Sequence, residues 1–428
     1  MNSVFRGVVG TIIVAASASV FANCFHYVLH WVVEAAFDSS VVTVAADRPS
    51  RWVVFAAVLG SVVIAAYLGR VATRRTTNLG HTAMAACVQN DGPPVNLRGS
   101  LIRAGGTWLA MAGLNSIGRE SAIMEVGGSF GGTFADRFGL SKRQLTAVGV
   151  GAAFTAAYHA PIASLVYLYE VIARKREARL IPYLVLGAVV SHAVSVKIFR
   201  RPQIFHNGYH PLAVSSMWRV GVIIIPAALA SMLFMKIRSV LRDWAGPLNP
   251  WQKSVAFGTL AGLVVSLLPI AAGNGMEAIR TATPSASIGL GLALLFGKMA
   301  ATATSLESGA PGGLYSPSMA IGAGASILTI HLIEWFGVTP VGNYWDAMIP
   351  GMAIAIAIAT NAPFTAVALV TELTSDISVL PVVAVGVLLG VLVERTVSRQ
   401  GSPRRPRVSD FRSDRRLTDG LSGSDTAR

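Results

Sequence analysis

Residues 113–128 read Gly-Leu-Asn-Ser-Ile-Gly-Arg-Glu-Ser-Ala-Ile-Met-Glu-Val-Gly-Gly, which sets Arg119, Glu120 and Glu125 among four glycines. The chain around them is strongly apolar, and ionisable groups at membrane depth are retained mostly where they have a partner or a task. Glycine favours a loop that opens a helix, whose free N–H groups and positive dipole end attract anions. Gly118 to Ser121 is therefore read as the mouth of an anion site. Glu120, a carboxylate at a helix N-terminus, is itself a tethered anion there.

The same spacing recurs later. Gly118-x-x-Ser121-x-x-Met124-x-x-Gly127 returns as Gly313-x-x-Ser316-x-x-Met319-x-x-Gly322, offset by 195 (313 − 118). His159-Ala160-Pro161, followed by Glu170, returns as Asn361-Ala362-Pro363, followed by Glu372 at the same distance, offset by 202 (361 − 159). Two echoes in the same order predict two structurally related halves, an arrangement that builds a central site between broken helices.

The elements that must position these residues are membrane helices. The chain has 428 residues, 53% hydrophobic and 13% charged, against about 25% charged in soluble domains. At about 20 residues per span there is room for roughly ten or more segments. The apolar run over residues 4–37 is too long for a cleaved signal peptide and reads as the first span. The polar loop 38–50 is placed outside, residues 52–68 return, and Arg70, Arg74 and Arg75 mark the inside. Residues 76–82 open a segment, ending by 91–94, too short to span; it reads as a half-helix. Further apolar segments follow over 102–114, 145–158, 161–172, 180–199, 212–235, 255–272, 287–304, 321–335, 349–360, 364–371 and 379–393. Residues 174–177 read as an inside loop, and 206–210 and 337–346 as outside loops. The membrane domain is set at residues 1–394, with halves of about 50–200 and 212–394.

Residues 395–428 are rich in Arg, Ser, Asp and Pro and read as a disordered basic cytoplasmic tail, in reach of membrane lipid. The net charge of +14, from 35 basic and 21 acidic residues, lies in short loops and this tail. That is the positive-inside pattern rather than a nucleic-acid surface. Cys24 and Cys87 read as packing residues. Nothing in the spacing points to a metal, cofactor or covalent-catalysis site. Lys298 reads as a structural partner for an internal acid, and His81 and His159 as capping or packing residues.

Gly118-Arg119-Glu120-Ser121-Ala122 resembles the GREGP motif of the CLC chloride channels and antiporters. Residues 309–317, Gly-Ala-Pro-Gly-Gly-Leu-Tyr-Ser-Pro, resemble that family's SGAPGGIFAP segment. His159-Ala160-Pro161 and Asn361-Ala362-Pro363-Phe364-Thr365 resemble its NAP-type helix starts. Order and spacing agree from about residue 78 to residue 376. The resemblance implies an all-α polytopic CLC fold of two inverted-topology repeats with broken helices. It also implies a homodimer in the cell (inner) membrane and transport of a monovalent anion, chloride first. Gly118, Arg119, Glu120, Ser121, Gly313, Leu314 and Tyr315 would surround the anion, with backbone N–H groups of Glu120, Leu314 and Tyr315 as ligands and Arg119 as support. Glu120 falls on the family's gating glutamate.

Two departures bear on mechanism. The first concerns the central anion. The family serine that lends it a hydroxyl falls on Leu79, with Asn78 and Thr82 the nearest substitutes. No tyrosine follows Tyr344, so the family's second central ligand is missing. The second departure concerns protons. The internal proton-carrying carboxylate of coupled members aligns with Val171, one position after Glu170, and one helical position turns a side chain by about 100°. Valine there resembles the channel-type members, so a gated chloride channel is the first expectation. Glu170 therefore reads first as structural, in agreement with its echo Glu372; chloride/proton antiport and fluoride transport are the alternatives, with Glu120, Glu125 and Glu170 as the candidate carboxylates of a proton path.

Overall fold

The computed structural model describes residues 3–90, 92–173, 178–205, 217–282, 286–337 and 344–401. The expected inside loop 174–177, the outside loop 206–210, most of the outside loop 337–346 and the tail beyond Gly401 lie outside the described residues. The first half comprises α1 (Ser3–Phe37), the single turn α2 (Val42–Ala45), α3 (Arg51–Arg75), α4 (Gly80–Asn90), α5 (Leu97–Ala112), α6 (Glu120–Phe138), α7 (Lys142–Tyr158), α8 (Pro161–Tyr167) and α9 (Ile181–Ala193). The second comprises α10 (Met217–Ala245), α11 (Pro250–Leu267), α12 (Met276–Ala282), α13 (Ile288–Leu292), α14 (Lys298–Glu307), α15 (Tyr315–Trp335), α16 (Tyr344–Thr360), α17 (Pro363–Thr374) and α18 (Leu380–Gly401). Among the described residues, seven helical stretches are long and apolar enough to cross a membrane, and Pro161–Ala173, Tyr344–Thr360 and Pro363–Thr374 are shorter apolar helices. The helix α18 continues to Gly401, past the expected boundary at residue 394.

Local chemistry explains the helix ends. Asn96 accepts from the Gly99 N–H at 2.8 Å and starts α5. Asn249 and Gln252 form a reciprocal cap at α11, satisfying N–H groups that have no partner inside the helix. Pro161 and Pro363 open α8 and α17, where a missing N–H costs nothing. Before each proline the chain repeats one conformation. His159 and Asn361 are left-handed, with φ of 58° and 53°, and Ala160 and Ala362 follow at φ −120° and −134°.

The halves are also packed alike. A β-carbon on Gly127 would strike the backbone of Gly149, joining α6 to α7, and one on Gly322 would strike Gly351, joining α15 to α16. Small residues bring membrane helices into this close contact. Exposed Trp52, Trp244, Trp251 and Trp335 sit at helix ends, as interfacial aromatics do. The Arg70 guanidinium lies 4.7 Å over the Trp251 ring and donates to the Pro250 carbonyl at 2.7 Å, fixing the C-terminal end of α3 to the start of α11.

Candidate functional site

The two glycine mouths meet. Gly118 N–H donates to the Gly313 carbonyl at 3.0 Å, and Gly313 N–H to the Gly118 carbonyl at 2.7 Å. This antiparallel pair is the isolated β-bridge of the described residues. Reciprocal bonds of this kind are what a local two-fold axis between related halves produces. The loops leading in are anchored by buried polar groups. Asn115 donates to the carbonyls of Val58 and Ala110 and to Ser61 Oγ, and Ser116 Oγ lies 2.8 Å from Thr302 Oγ1. Thr107 Oγ1 donates to the Pro311 carbonyl at 2.9 Å.

From this pairing α6 and α15 depart. Their N-cap residues, Arg119 and Leu314, make no side-chain cap, so the first-turn N–H groups are free for another acceptor. The acceptor present is Glu120, 1% exposed. Its Oε1 accepts from Ser316 Oγ and, at 3.3 Å, from the Ser316 N–H. Its Oε2 has no hydrogen-bond partner and lies over both glycines, where a β-carbon on either would stand. Ser121 N is 3.4 Å from that same point at Gly313. The carboxylate thus fills an anion-sized cradle that only glycine leaves open.

Around the cradle the structure brings together Gly118, Glu120, Ser121, Gly313, Leu314 and Tyr315. The Tyr315 ring packs edge-on against Phe154 and Tyr167, each 6.1 Å away. Arg119 is next in sequence but points elsewhere. Its Nη1 lies 2.6 Å from His26 Nδ1 on α1, and Nη2 donates to the Ala157 carbonyl at 3.3 Å. The guanidinium therefore braces α6 against α1 and α7, as support rather than as an anion ligand.

Four other expected residues have separate work. The Asn78 amide donates to the carbonyls of Pro93, at 3.0 Å, and Pro94, so its nitrogen ties down the loop before α5. Leu79 is buried against Gly99; neither side chain offers the central hydroxyl that the aligned serine would. Glu125, 2% exposed, pairs with Arg103 Nε at 3.2 Å and accepts from Ser100 Oγ at 3.2 Å. Glu170 accepts from the N–H groups of Phe364 and Thr365 at 3.0 and 2.6 Å and from Thr365 Oγ1 at 2.6 Å, capping α17. Glu372 returns the contact, accepting from Ile162 and Ala163 N–H at 2.9 and 2.6 Å and capping α8.

Lys298 has its expected acid in Glu277, whose charge acts on it, but does not bond to it. Its hydrogen-bond partners are not an acid but three carbonyls, Ala271, Ala272 and Gly273, at 2.9, 3.1 and 2.6 Å, at the end of the turn after α11. Cations belong at such carbonyl-rich ends. Two residues at the cradle escape the reading of the sequence. Ser316 differs from the alanine of the resembled SGAPGGIFAP segment, which is the available signal. Tyr158, whose hydroxyl is 3.2 Å from Ser316 Oγ, sits just before the His159-Ala160-Pro161 motif.

Two related halves of broken helices, meeting mouth to mouth over a carboxylate-filled cradle, define an inverted-repeat membrane transport protein. The profile of the voltage gated chloride channel family matches residues 60–395. The chain belongs to that family, and its function is CLC-type anion transport. It is 28% identical over 335 residues to the voltage-gated ClC-type chloride channel ClcB of Escherichia coli, covering 74% of this chain and 78% of the relative. The same protein of Shigella flexneri is 27% identical over the same shares. Among solved structures, a slow cyanobacterial Cl⁻/H⁺ antiporter matches with a TM-score of 0.77 at 21% identity, covering 93% of this chain and 99% of that one. A CLC-type fluoride/proton antiporter matches with 0.74 at 18%, covering 92% and 96%; these two likenesses concern the fold. The protein is a multi-pass inner-membrane protein.

Proposed function

We propose that the protein is a gated channel for chloride or a similar monovalent anion, with Glu120 as its gate. The observation that carries this reading is the Glu120 carboxylate lying across the Gly118–Gly313 pair with one oxygen unpartnered. When Glu120 is protonated its hold on Ser316 weakens, because hydrogen bonds to a charged acceptor are about twice as strong as neutral ones. The side chain can then leave, and the first-turn N–H groups of Glu120, Leu314 and Tyr315 face an anion instead. Such a site holds its ion without a fixed positive charge and can release it. Passive conduction is favoured because Glu170 is engaged as a cap on α17 and Val171, not an acid, follows it.

Proton-coupled exchange is the second reading, and Glu125 favours it: a buried carboxylate about 7.5 Å further along the helix that starts at Glu120. Purified protein in liposomes under a chloride gradient separates the two. Chloride flux without proton movement is expected; uphill proton movement abolished by Glu120→Gln would replace the channel with an antiporter. We assign the functional unit as a homodimer. Ile162 of α8, Val189 of α9, Phe364 of α17 and Leu388 of α18 are large apolar side chains more than half exposed, on elements the two halves contribute in equivalent pairs. Cross-linking in native membranes tests this, and a monomer-only product would reject it.

A further inference from the structure

We propose that Tyr158 and Ser316 form a hydroxyl clasp on the anion cradle, which sets how firmly Glu120 closes it and which anion replaces the carboxylate. The proposal rests on the reading of Glu120 as the gate. Ser316 is the second residue of α15 and Tyr158 the last of α7, so the clasp joins the two halves of the chain. The three side chains are buried, with residue exposures of 3% for Tyr158, 1% for Ser316 and 1% for Glu120. Ser316 has one hydroxyl hydrogen, and it goes to Glu120 Oε1. Ser316 Oγ can therefore meet Tyr158 only as an acceptor, and the Tyr158 O–H is shared between Ser316 Oγ, 3.2 Å away, and the Glu120 carboxylate itself. Hydrogen bonds in series polarise one another, and the charged end gains most.

An unpartnered carboxylate oxygen, fully buried and aimed over Gly118 and Gly313, marks this cradle as a ligand position rather than a packing accident. When Glu120 swings out, the same Ser316 hydroxyl, backed by Tyr158, is left facing whatever enters. An O–H donor is drawn most strongly to an anion of high charge density. Chloride and fluoride gain more from the clasp than nitrate or thiocyanate, whose charge is spread over several atoms. Ser316 replaces an alanine of the resembled motif, so this donor is a feature of the chain in addition to the backbone N–H groups.

The test uses the full-length protein with Ser316→Ala and Tyr158→Phe, alone and combined, each with Glu120 or Glu120→Gln. With Glu120 present, losing the clasp loosens the gate. Chloride flux into liposomes at neutral pH is expected to rise about tenfold. With Glu120→Gln the sign reverses, because the clasp now holds only the anion. Chloride affinity measured by calorimetric titration falls about tenfold, and the nitrate-over-chloride preference rises. Ser316→Thr, which keeps the hydroxyl, retains the wild-type behaviour. Changes of one sign in both backgrounds, or an unchanged anion order, would overturn the clasp and leave the two residues as packing. If no variant moves any anion, the transport reading fails, and the titration still decides the clasp. A chloride affinity lowered by Ser316→Ala supports it, and an unchanged affinity rejects it.

Discussion

Glu170→Gln and Glu372→Gln are expected to destabilise the protein by similar amounts, about 2–3 kcal/mol each. Each carboxylate reaches across to the other half and takes two backbone N–H groups at a helix start, Glu170 at Phe364 and Thr365, Glu372 at Ile162 and Ala163. A hydrogen bond to a charged group contributes about 1.5–3 kcal/mol, and a negative charge at a helix N-terminus adds about 0.3–1 kcal/mol. Glutamine keeps one accepting oxygen and turns an NH₂ group toward the other donor, so roughly one charged bond and the dipole interaction are lost. Glu170 also holds Thr365 Oγ1, which places its loss at the upper end of the range. Thermal denaturation in detergent, followed by the loss of monodisperse protein, reads both variants against wild type. A Glu170→Gln protein as stable as wild type, beside a destabilised Glu372→Gln, would refute the reasoning. Altered proton movement in that stable variant would place Glu170 on a proton path instead.

The remaining predictions concern the cradle and its supports. Glu120→Gln should raise chloride flux at neutral pH about tenfold or more. Liposome chloride efflux of the variant against the wild type measures this. Gly118→Ala places a β-carbon where Glu120 Oε2 lies, and should lower chloride affinity with or without Glu120→Gln, as read by calorimetric titration. Lys298→Met leaves three buried carbonyls without their shared donor and should destabilise the protein by about 2–4 kcal/mol, measured as a lower thermal midpoint.

Much of this arrangement is legible in the sequence because its strongest signals are local or repeated. The Gly-Arg-Glu and Gly-Gly-Leu-Tyr stretches announce helix mouths, and the offsets of 195 and 202 residues pair them with the correct counterparts. The half-helix expected after residue 76 is α4, Gly80–Asn90. What the pattern does not carry is the direction in which a side chain is used once the chain is folded. Asn78 has donors suited to an anion, but two proline carbonyls take them, and backbone carbonyls in a packed loop must be satisfied. Lys298 looks like half of an ion pair, and Glu277 does act on its charge, but its hydrogen bonds go to three carbonyls at the end of a helical turn. Glu170 and Glu372 are visible as an echo, while the crossing of each onto the other's helix follows only from the two-fold packing. The Tyr158–Ser316 contact spans 158 residues and joins opposite halves, so neither local spacing nor the repeat offset points to it. The cradle itself could be read from glycines and one glutamate; its tuning depends on hydroxyls that three-dimensional packing alone brings to it.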